Sequence, residues 1–507
     1  MESRTKNSIR NITTGIINKI INILLPFVVR TIFIQKLGAE FLGLNSLFTS
    51  ILQVLNLTEL GFSSAMIYSM YKPLANNDEK KVNILLNYYK KCYRIIGIII
   101  LVIGIVICPF ISIFIKEEIP NVNIYLAFII YLINTVISYL FFAYRESILI
   151  ASQRSDLSSK INIIVCIIQN LLQLIVLFLL NNYYAYIIIL PIMTLFRNIF
   201  VYYTSKKYFP ENNPEGILSE KECREIKKNV KGMIFQKIGY IVLANADTIV
   251  ISSFLGLDIL GIYNNYYYVV TAIIGIINII MDSLKSSVGN SIVLESVEKN
   301  YKDFKFLNFV YIWIVTWCSI CLMCLLHNFI YIWLGTAYTL EKNISLFLGI
   351  YFFIYKWCDM TYVYQEAKGL WWENRYIPIT GAFLNLILNL ILVNCIGLYG
   401  IICSTVISLL LINNIGFAYI LFRYYFKNKN YLIEYFKNQV KYIAVFIIVS
   451  YVTYILCSLL GKDILSFIIK IFICITIPNI LLVLIYNKND NFIQSKKFVK
   501  ERLLKRS

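Results

Sequence analysis

The sequence predicts an all-α protein that crosses a membrane about fourteen times, as two parallel six-helix lobes followed by a C-terminal helix pair. Hydrophobic residues make up 59% of its 507 residues, the mean hydropathy is +0.70 and only 15% of residues are charged. Soluble domains carry roughly 25% charged residues. Apolar windows of about 20 residues recur along the chain, and each is long enough to cross a hydrocarbon core of roughly 30 Å as a helix.

The predicted spans are separated by short polar loops. The first span is too long for a signal-peptide core and lacks a small-residue cleavage site, so we expect it to remain uncleaved. In order, the spans are expected at residues 13–35, 41–70, 93–115, 121–144, 161–181, 183–204, 232–254, 260–284, 306–330, 344–366, 376–395, 397–422, 442–460 and 464–486.

Basic residues set the predicted orientation. With the N-terminus inside, most of the 47 Lys and Arg residues fall in cytoplasmic segments, whereas the outer loops carry Lys36, Lys116, Lys342 and Lys462. This asymmetry follows the positive-inside rule and predicts that both termini are cytoplasmic. The net charge of +19 is therefore a topology signal, helped by attraction to anionic lipid heads, and does not indicate binding to nucleic acid.

A short motif occurs twice, each time at the predicted outer turn between the first two spans of a lobe. "LGAEFLGL" at Leu37–Leu44 and "LGLDILGI" at Leu255–Ile262 share one pattern of glycine, acidic and apolar residues. The first glycine of each copy, Gly38 or Gly256, suits a left-handed helix end, and the acid suits the start of the next helix, where the dipole favours it. Spans one to six and seven to twelve are therefore predicted to be copies of one six-helix unit.

These patterns divide the chain into four segments. The N-terminal lobe is expected at residues 1–204 and the C-terminal lobe at residues 232–424. The hydrophilic stretch 205–231, which contains "KKYFPENNPEGILSEKECREIKK", is expected to connect them on the cytoplasmic side. Residues 425–507 hold the last two spans and a basic tail, "KKFVKERLLKR", that is expected to lie on the inner leaflet.

One long stretch and several short motifs carry a resemblance to a known family. The stretch Val28–Asp78 includes "ELGF" at Glu59 and "YKPLA" at Tyr71, and it is followed by "ADTIVISSFLG" at Ala246 and "IGLYGI" at Ile396. In this order the motifs resemble the polysaccharide-transport family, which contains the Wzx-type flippases. That family is part of the multidrug/oligosaccharidyl-lipid/polysaccharide exporter superfamily.

The resemblance implies a function. The implied substrate is undecaprenyl diphosphate bearing a short oligosaccharide, moved from the inner to the outer leaflet of a bacterial plasma membrane by alternating access, for capsule or other cell-surface polysaccharide. This lipid and the bilayer are the expected partners, with a glycan polymerase or export machinery as a further candidate. We expect no cofactor and no enzymatic activity, and the chain has no Walker motif for ATP. Many members have twelve spans, so the extra pair leaves the relationship to fourteen-span lipid II flippases open.

Cations inside the predicted spans are candidate ligands for a diphosphate. Lys19 and Arg30 lie 11 residues apart, so on an ideal helix they share one face within about 20° and stand roughly 16 Å apart along the axis. Arg197 and Lys356 are further candidates, although Arg197 is also placed to reach the inner surface. Each cation has an alternative role in a charge pair that fixes helix packing, and Asp359 is placed i+3 from Lys356 for such a pair.

Acidic and amide side chains inside the spans are candidates for ion coupling or for the cavity. Asp247 and Glu59 are candidates to bind a proton or Na⁺, and Glu59 lies at a depth where it can instead neutralise Lys19. Asn264 and Asn265 are candidates to bind sugar hydroxyls. The abundant tyrosines are weaker indicators, because interfacial aromatic belts explain them equally well.

One run, Cys321, Cys324 and His327, has the spacing C-x2-C-x2-H. A structural zinc site requires four converging ligands, and this run offers three on one helix, so we expect ordinary packing and no metal. His327 is the only histidine, so the sequence does not resemble an enzyme with a histidine-dependent nucleophile or proton relay.

Two other functions stay open. A cation-coupled multidrug antiporter of the same superfamily binds organic cations and favours acids in its cavity, whereas the first span here offers Lys19 and Arg30. A membrane polysaccharide polymerase, the less favoured alternative, resembles chains with a large external loop. Each outer loop here is predicted to have about a dozen residues or fewer.

Overall fold

The computed structural model describes residues 4–56, 62–117, 119 and 122–504, and within these ranges the chain is helical and contains no β-strand. Short turns and 3₁₀ or π segments join the helices. The α-helices are α1 Arg4–Leu37, α2 Ala39–Leu55, α3 Phe62–Ala75, α4 Glu79–Ile107, α5 Ile124–Leu140, α6 Glu146–Ala151, α7 Ser155–Leu179, α8 Tyr183–Tyr208, α9 Glu220–Phe254, α10 Leu257–Leu294, α11 Val297–Leu334, α12 Lys342–Lys356, α13 Asp359–Lys368, α14 Ile377–Ser408, α15 Ile415–Leu421, α16 Lys429–Ser458, α17 Ile464–Tyr486 and α18 Asp490–Leu504.

The described helices confirm a polytopic all-α membrane protein. Ten are long and apolar enough to cross a membrane, and an eleventh span results if Ile124–Leu140 and Ala143–Ala151, which are bent by 46°, form one span. The sequence predicts fourteen spans, and the larger number has two reasons. The second predicted span is divided into α2 and α3, and the tenth is divided into α12 and α13, so that none of these four helices is long enough to cross a membrane by itself. The eleventh and twelfth predicted spans are joined by α14 and count as one helix.

Helix α14 turns back on itself. Its backbone leaves the helical conformation at Ile396 and Gly397, where Gly397 has φ +57° and ψ −132°. The side-chain amide of Asn385 nevertheless donates a hydrogen bond to Thr405 Oγ1 over 2.9 Å, across 20 residues of sequence. A straight helix would separate these residues by about 30 Å. The chain therefore reverses at Gly397, where the sequence predicts one span to end and the next to begin.

The chain divides into two compact units, Met1–Gly261 and Ile262–Ser507. In the first unit α1 packs against α7, α4 against α5, and both α5 and α7 against α8. In the second unit α11 packs against α12, α16 and α17. The lobe boundaries given by the sequence remain a prediction. A core cluster in the first unit fills the space between α6, α7 and α8 and consists of Leu149, Leu157, Ile161, Val165, Ile189, Met193 and Val201.

The hydrophilic connector between α8 and α9 is shorter than the predicted 205–231 and spans residues 209–219. Helix α9 begins early because Ser219 and Glu222 form a capping box, which satisfies backbone donors at the start of a helix. Lys81 of α4 forms an ion pair with Glu222. The Lys81 ammonium holds the pKa of Glu222 below its usual value, and the pair fastens the start of α9 to α4.

The repeated motif forms the same turn twice. Gly38 has φ +97° and Gly256 has φ +104°, a region that other residues rarely adopt. Glu40 and Asp258 lie in the first turns of α2 and α10, where the helix dipole favours an acid. Both features were predicted from the pattern.

The second glycine of each copy has a role that the pattern did not reveal. A Cβ atom on Gly43 would lie 2.1 Å from the carbonyl oxygen of Leu257, and a Cβ atom on Gly261 would lie 1.9 Å from that of Ala39. The start of α10 therefore packs backbone to backbone against the start of α2. The two copies of the motif form one reciprocal contact, in which each glycine meets the first turn of the other copy.

Candidate functional site

Both predicted site residues of helix α1 lie on one face of the helix. Lys19 is exposed and Arg30 is half-buried. At 100° per residue, Val28 lies about 180° from Lys19. Val28 and Leu24 expose 48% and 59% of their surface on that opposite side. Pro26, between the two cations, lies inside the helix and lacks a backbone donor, which allows α1 to bend there.

Arg30 lies within electrostatic range of Tyr186, near the start of α8. The Tyr186 ring packs on Phe33 of α1 at a centroid distance of 4.7 Å. One turn earlier on α8, the Tyr183 hydroxyl donates a hydrogen bond to Asn45 Oδ1 over 2.7 Å. A guanidinium binds phosphate oxygens well, and phenol and amide groups bind sugar hydroxyls. The start of α8 therefore places phenol groups near the Arg30 guanidinium.

An apolar cavity of about 380 Å³ lies between α1 and α7. Asn170 is its single polar lining residue, and that amide is occupied by a 2.7 Å hydrogen bond to the carbonyl oxygen of Cys166. The cavity therefore suits hydrocarbon. Its lining consists of Ile21, Leu24, Leu25, Val28, Val29, Ile167, Asn170, Leu171 and Leu174.

Arg197 lies in an ion pair that joins α6, α7 and α8. Its Nη2 donates to both carboxylate oxygens of Glu146 at 2.8 Å, and its Nε donates to Asn162 Oδ1 over 2.6 Å. Ser158 donates a further hydrogen bond to Glu146. Both charged side chains are about a quarter exposed, 27% for Arg197 and 24% for Glu146. This network accounts for the charge of Arg197 without a substrate.

A second charge network, which the sequence gave no reason to expect, fastens α1 to α7. The carboxylate of Asp156 is fully buried and lies 3.0 Å from the Nε atoms of both Arg10 and Arg154. Lys160 approaches the same carboxylate at 3.9 Å. Arg10 and Asp156 are far apart in sequence, so no local spacing could indicate this pair. The network joins α1 to α7 about three turns before the residues that line the apolar cavity.

Lys356 lies in the second unit, where α12 ends and α13 begins. Its side chain is buried and forms the predicted ion pair with Asp359, and its Nζ donates to Asn278 Oδ1 of α10 over 2.8 Å. The Tyr311 hydroxyl donates to the Asp359 carboxylate over 2.7 Å. The helix breaks between the two charges, so the pair lies across the bend of a broken span.

We expect Lys356→Met to lower the free energy of unfolding by about 3 kcal/mol, because it leaves Asp359 charged without its partner. The double variant Lys356→Met/Asp359→Asn should recover most of this loss, since it removes both charges. Chemical unfolding of the detergent-purified protein measures the difference. A single variant as stable as the unmodified chain would show that the pair is not structural, and Lys356 would return to the candidate diphosphate ligands.

A row of four tyrosines lies between α10 and α12 in the second unit. Tyr263 and Tyr267 stack at 5.9 Å, Tyr267 contacts Tyr351 at 6.2 Å, and Tyr351 stacks on Tyr355 at 5.7 Å. The Tyr267 and Tyr351 hydroxyls are 3.3 Å apart. Tyr263 and Tyr351 are buried, whereas Tyr267 and Tyr355 are half-buried. The row connects the "YNNYYYVV" run to the neighbourhood of Lys356.

The other predicted residues are separated between the two units. Asn264 is half-buried, and its Nδ2 has no hydrogen-bond acceptor among the described residues. Asn265, the next residue, is fully buried. Asp247 is half-buried on α9 of the first unit, and Glu59 lies outside the described residues.

Comparisons with known proteins agree with this fold. The model of a family described as "Polysaccharide biosynthesis protein" matches residues 8–284. No curated protein matches the sequence. A structure described as the lipid II flippase MurJ, inward closed, has a TM-score of 0.66 at 15% identity, covering 94% of this chain and 98% of that one.

Two transporter structures are also similar. An inward-facing multidrug resistance MATE family transporter of the MOP superfamily has a TM-score of 0.62 at 14% identity, covering 79% of this chain and 94% of that one. A MOP superfamily transporter from Pyrococcus furiosus has a TM-score of 0.56 at 14% identity, with coverages of 82% and 95%. At such low identity these likenesses establish a shared fold.

Proposed function

This chain belongs to the polysaccharide biosynthesis protein family, and we propose that it is a flippase for undecaprenyl-diphosphate-linked oligosaccharide repeat units. It moves them from the inner to the outer leaflet of a bacterial plasma membrane by alternating access, for capsule or other cell-surface polysaccharide. Family membership confirms the resemblance predicted from the motifs. The observation that carries the proposal is the division of α1 into a cationic face with Arg30 and an opposite face that lines an apolar cavity.

The two faces match the two parts of the substrate. A diphosphate carries roughly two negative charges, which need compensating cations in a hydrated path because a bare charge in hydrocarbon is costly. Arg30 and Lys19 supply these cations, and the α1–α7 cavity receives part of the polyprenyl chain. The proposal gives the diphosphate to Arg30 and Lys19 because the two cations share one face of α1, opposite the residues that line the apolar cavity. The tyrosine row and Asn264 are the proposed sugar contacts of the second unit.

The driving force of the proposed transport is an ion gradient or the membrane potential. Each elementary charge moved through 100 mV contributes about 2.3 kcal/mol. Asp247 and Glu59 are the proposed ion-binding residues. Both termini are proposed to lie in the cytoplasm, as the positive-inside pattern predicts.

The proposal is tested by transport in liposomes that contain the purified chain and undecaprenyl-diphosphate-linked oligosaccharide. An enzyme added to one side modifies the oligosaccharide that it can reach, with and without an imposed membrane potential. We expect the enzyme to modify oligosaccharide from the second leaflet only when the protein is present. We expect this modification to be lost when the lipid carries a monophosphate. Efflux of organic cations without lipid movement would replace the proposal with a multidrug antiporter.

A second test concerns the apolar cavity. We expect Leu171→Trp to slow translocation several-fold, because the indole occupies space proposed for the polyprenyl chain, while the thermal midpoint stays within a few degrees. Ile164→Trp is the matched control: Ile164 is an exposed residue on the same face of α7 that does not line the cavity. If both variants transport equally, the tail does not use this cavity.

A further inference from the structure

Three buried cysteines meet inside the second unit. Cys324 of α11, Cys457 of α16 and Cys474 of α17 place their sulfur atoms within 4.8 Å of one another. The Cys457 and Cys474 sulfurs are 3.9 Å apart. The three residues are 8%, 3% and 0% exposed, respectively. Each comes from a different helix, so the cluster forms only when the C-terminal pair packs against α11.

A fourth cysteine lies at the edge of this cluster. Cys321 is half-buried, precedes Cys324 by three residues on α11, and its sulfur lies 4.0 Å from the carbonyl oxygen of Cys474. Residues i and i+3 of a helix are neighbours on its surface. The arrangement therefore presents a C-x2-C pair from one helix and two single cysteines from the others.

The dimensions of the cluster suit a thiophilic metal ion. Zinc binds four ligands tetrahedrally with Zn–S bonds of about 2.3 Å, which places the sulfurs roughly 3.8 Å apart. The sulfurs of Cys324, Cys457 and Cys474 exceed this separation by at most about 1 Å, a change within reach of small side-chain rotations, whereas Cys321 must turn toward them from the edge. Soft thiolate ligands select zinc and other thiophilic ions over Mg²⁺ or Ca²⁺.

A buried cation lies near the cluster. Lys470 is 4% exposed, lies one turn before Cys474 on α17, and is within electrostatic range of the Cys457 and Cys324 sulfurs. Its ammonium donates a hydrogen bond to the Gly461 carbonyl oxygen over 2.9 Å. The Asp463 carboxylate and the Lys342 ammonium are also within electrostatic range of Lys470. Lys470 therefore has a carboxylate and a carbonyl oxygen as partners, and it is also placed to offset part of the charge of metal-bound thiolates.

We infer that Cys324, Cys457 and Cys474, with Cys321 as the fourth ligand, form a zinc site that fastens the C-terminal helix pair to α11. Each ligating thiol loses its proton on binding. Four thiolates on Zn²⁺ leave a net charge of −2, which the Lys470 ammonium partly offsets. The inference of a zinc site does not rest on the proposed transport function.

The site is tested on the full-length protein purified in detergent from cells grown with added zinc. Elemental analysis should find about one zinc per chain, and titration of the chelator-treated protein with Co²⁺ should produce thiolate-to-cobalt absorption. Both signals should be lost in Cys474→Ala and kept in Cys395→Ala, whose cysteine is exposed and outside the cluster. Chelation should lower the thermal midpoint of the unmodified chain by several degrees.

The measurements on the unmodified chain decide the question even if Cys474→Ala does not fold. Absence of both zinc and Co²⁺–thiolate absorption would overturn the inference, since ordinary packing of free thiols predicts that result. A disulfide between Cys457 and Cys474 in the unreduced protein would also overturn it, because those sulfurs would no longer be available as ligands.

Discussion

Replacing Arg30 with alanine is expected to reduce translocation of the diphosphate-linked oligosaccharide by about 10- to 100-fold. A hydrogen bond to a charged group contributes about 1.5–3 kcal/mol, and 1.4 kcal/mol corresponds to a factor of ten. The loss should appear as a lower initial rate in the liposome assay at equal protein density. Arg30→Lys should keep part of the activity, since it retains the charge but loses the forked geometry that binds two phosphate oxygens.

The matched control for Arg30 is on the same helix. Lys36 is exposed, and its ammonium lies 5.8 Å from the Phe178 ring, so Lys36→Ala removes a cation from α1 outside the proposed path. That variant should transport at nearly the rate of the unmodified chain. Full activity in Arg30→Ala would remove Arg30 from the site, and equal losses in both variants would indicate a general effect of charge on α1. The variant Lys19→Ala tests the second proposed cation of α1 by itself, because it leaves Arg30 in place.

The sequence predicted the membrane spans well because hydropathy is a local property. The spans, their alternation with basic loops and the glycine turns all depend on windows of a few residues. The reversal at Gly397 and the Lys356–Asp359 pair were predicted for the same reason. Each depends on residues close together in the chain.

The features that were not predicted all join residues that are distant in sequence. Glu146 of α6 neutralises Arg197 of α8, and the sequence indicated neither that pair nor the contact of the Tyr186 ring with Phe33. The C-x2-C-x2-H run on α11 gave no sign of Cys457 and Cys474, because those ligands come from helices more than a hundred residues later. Hydropathy specifies which segments are buried in the membrane, but it does not specify which helices become neighbours.

The close contact between the two copies of the repeated motif leads to a large expected effect on stability. Gly43→Ala and Gly261→Ala each place a methyl group about 2 Å from a backbone carbonyl oxygen. A backbone atom cannot rotate away as a side chain does, so the helices must separate. We expect each substitution to lower the free energy of unfolding by about 3 kcal/mol, the upper end of the usual cost of overpacking.

Gly15 provides the matched control, because it is also a helical glycine but a Cβ atom there would meet nothing within 4 Å. Gly15→Ala should therefore be neutral or stabilise the protein by up to about 1 kcal/mol, since alanine favours the helix. The double variant Gly43→Ala/Gly261→Ala should cost less than the two single losses added together, because separating α2 from the start of α10 relieves both clashes at once. Thermal unfolding of the four variants in one detergent makes the comparison. Strictly additive losses would mean that the two glycines pack independently, and the repeat would then reflect two similar turns and not one shared contact.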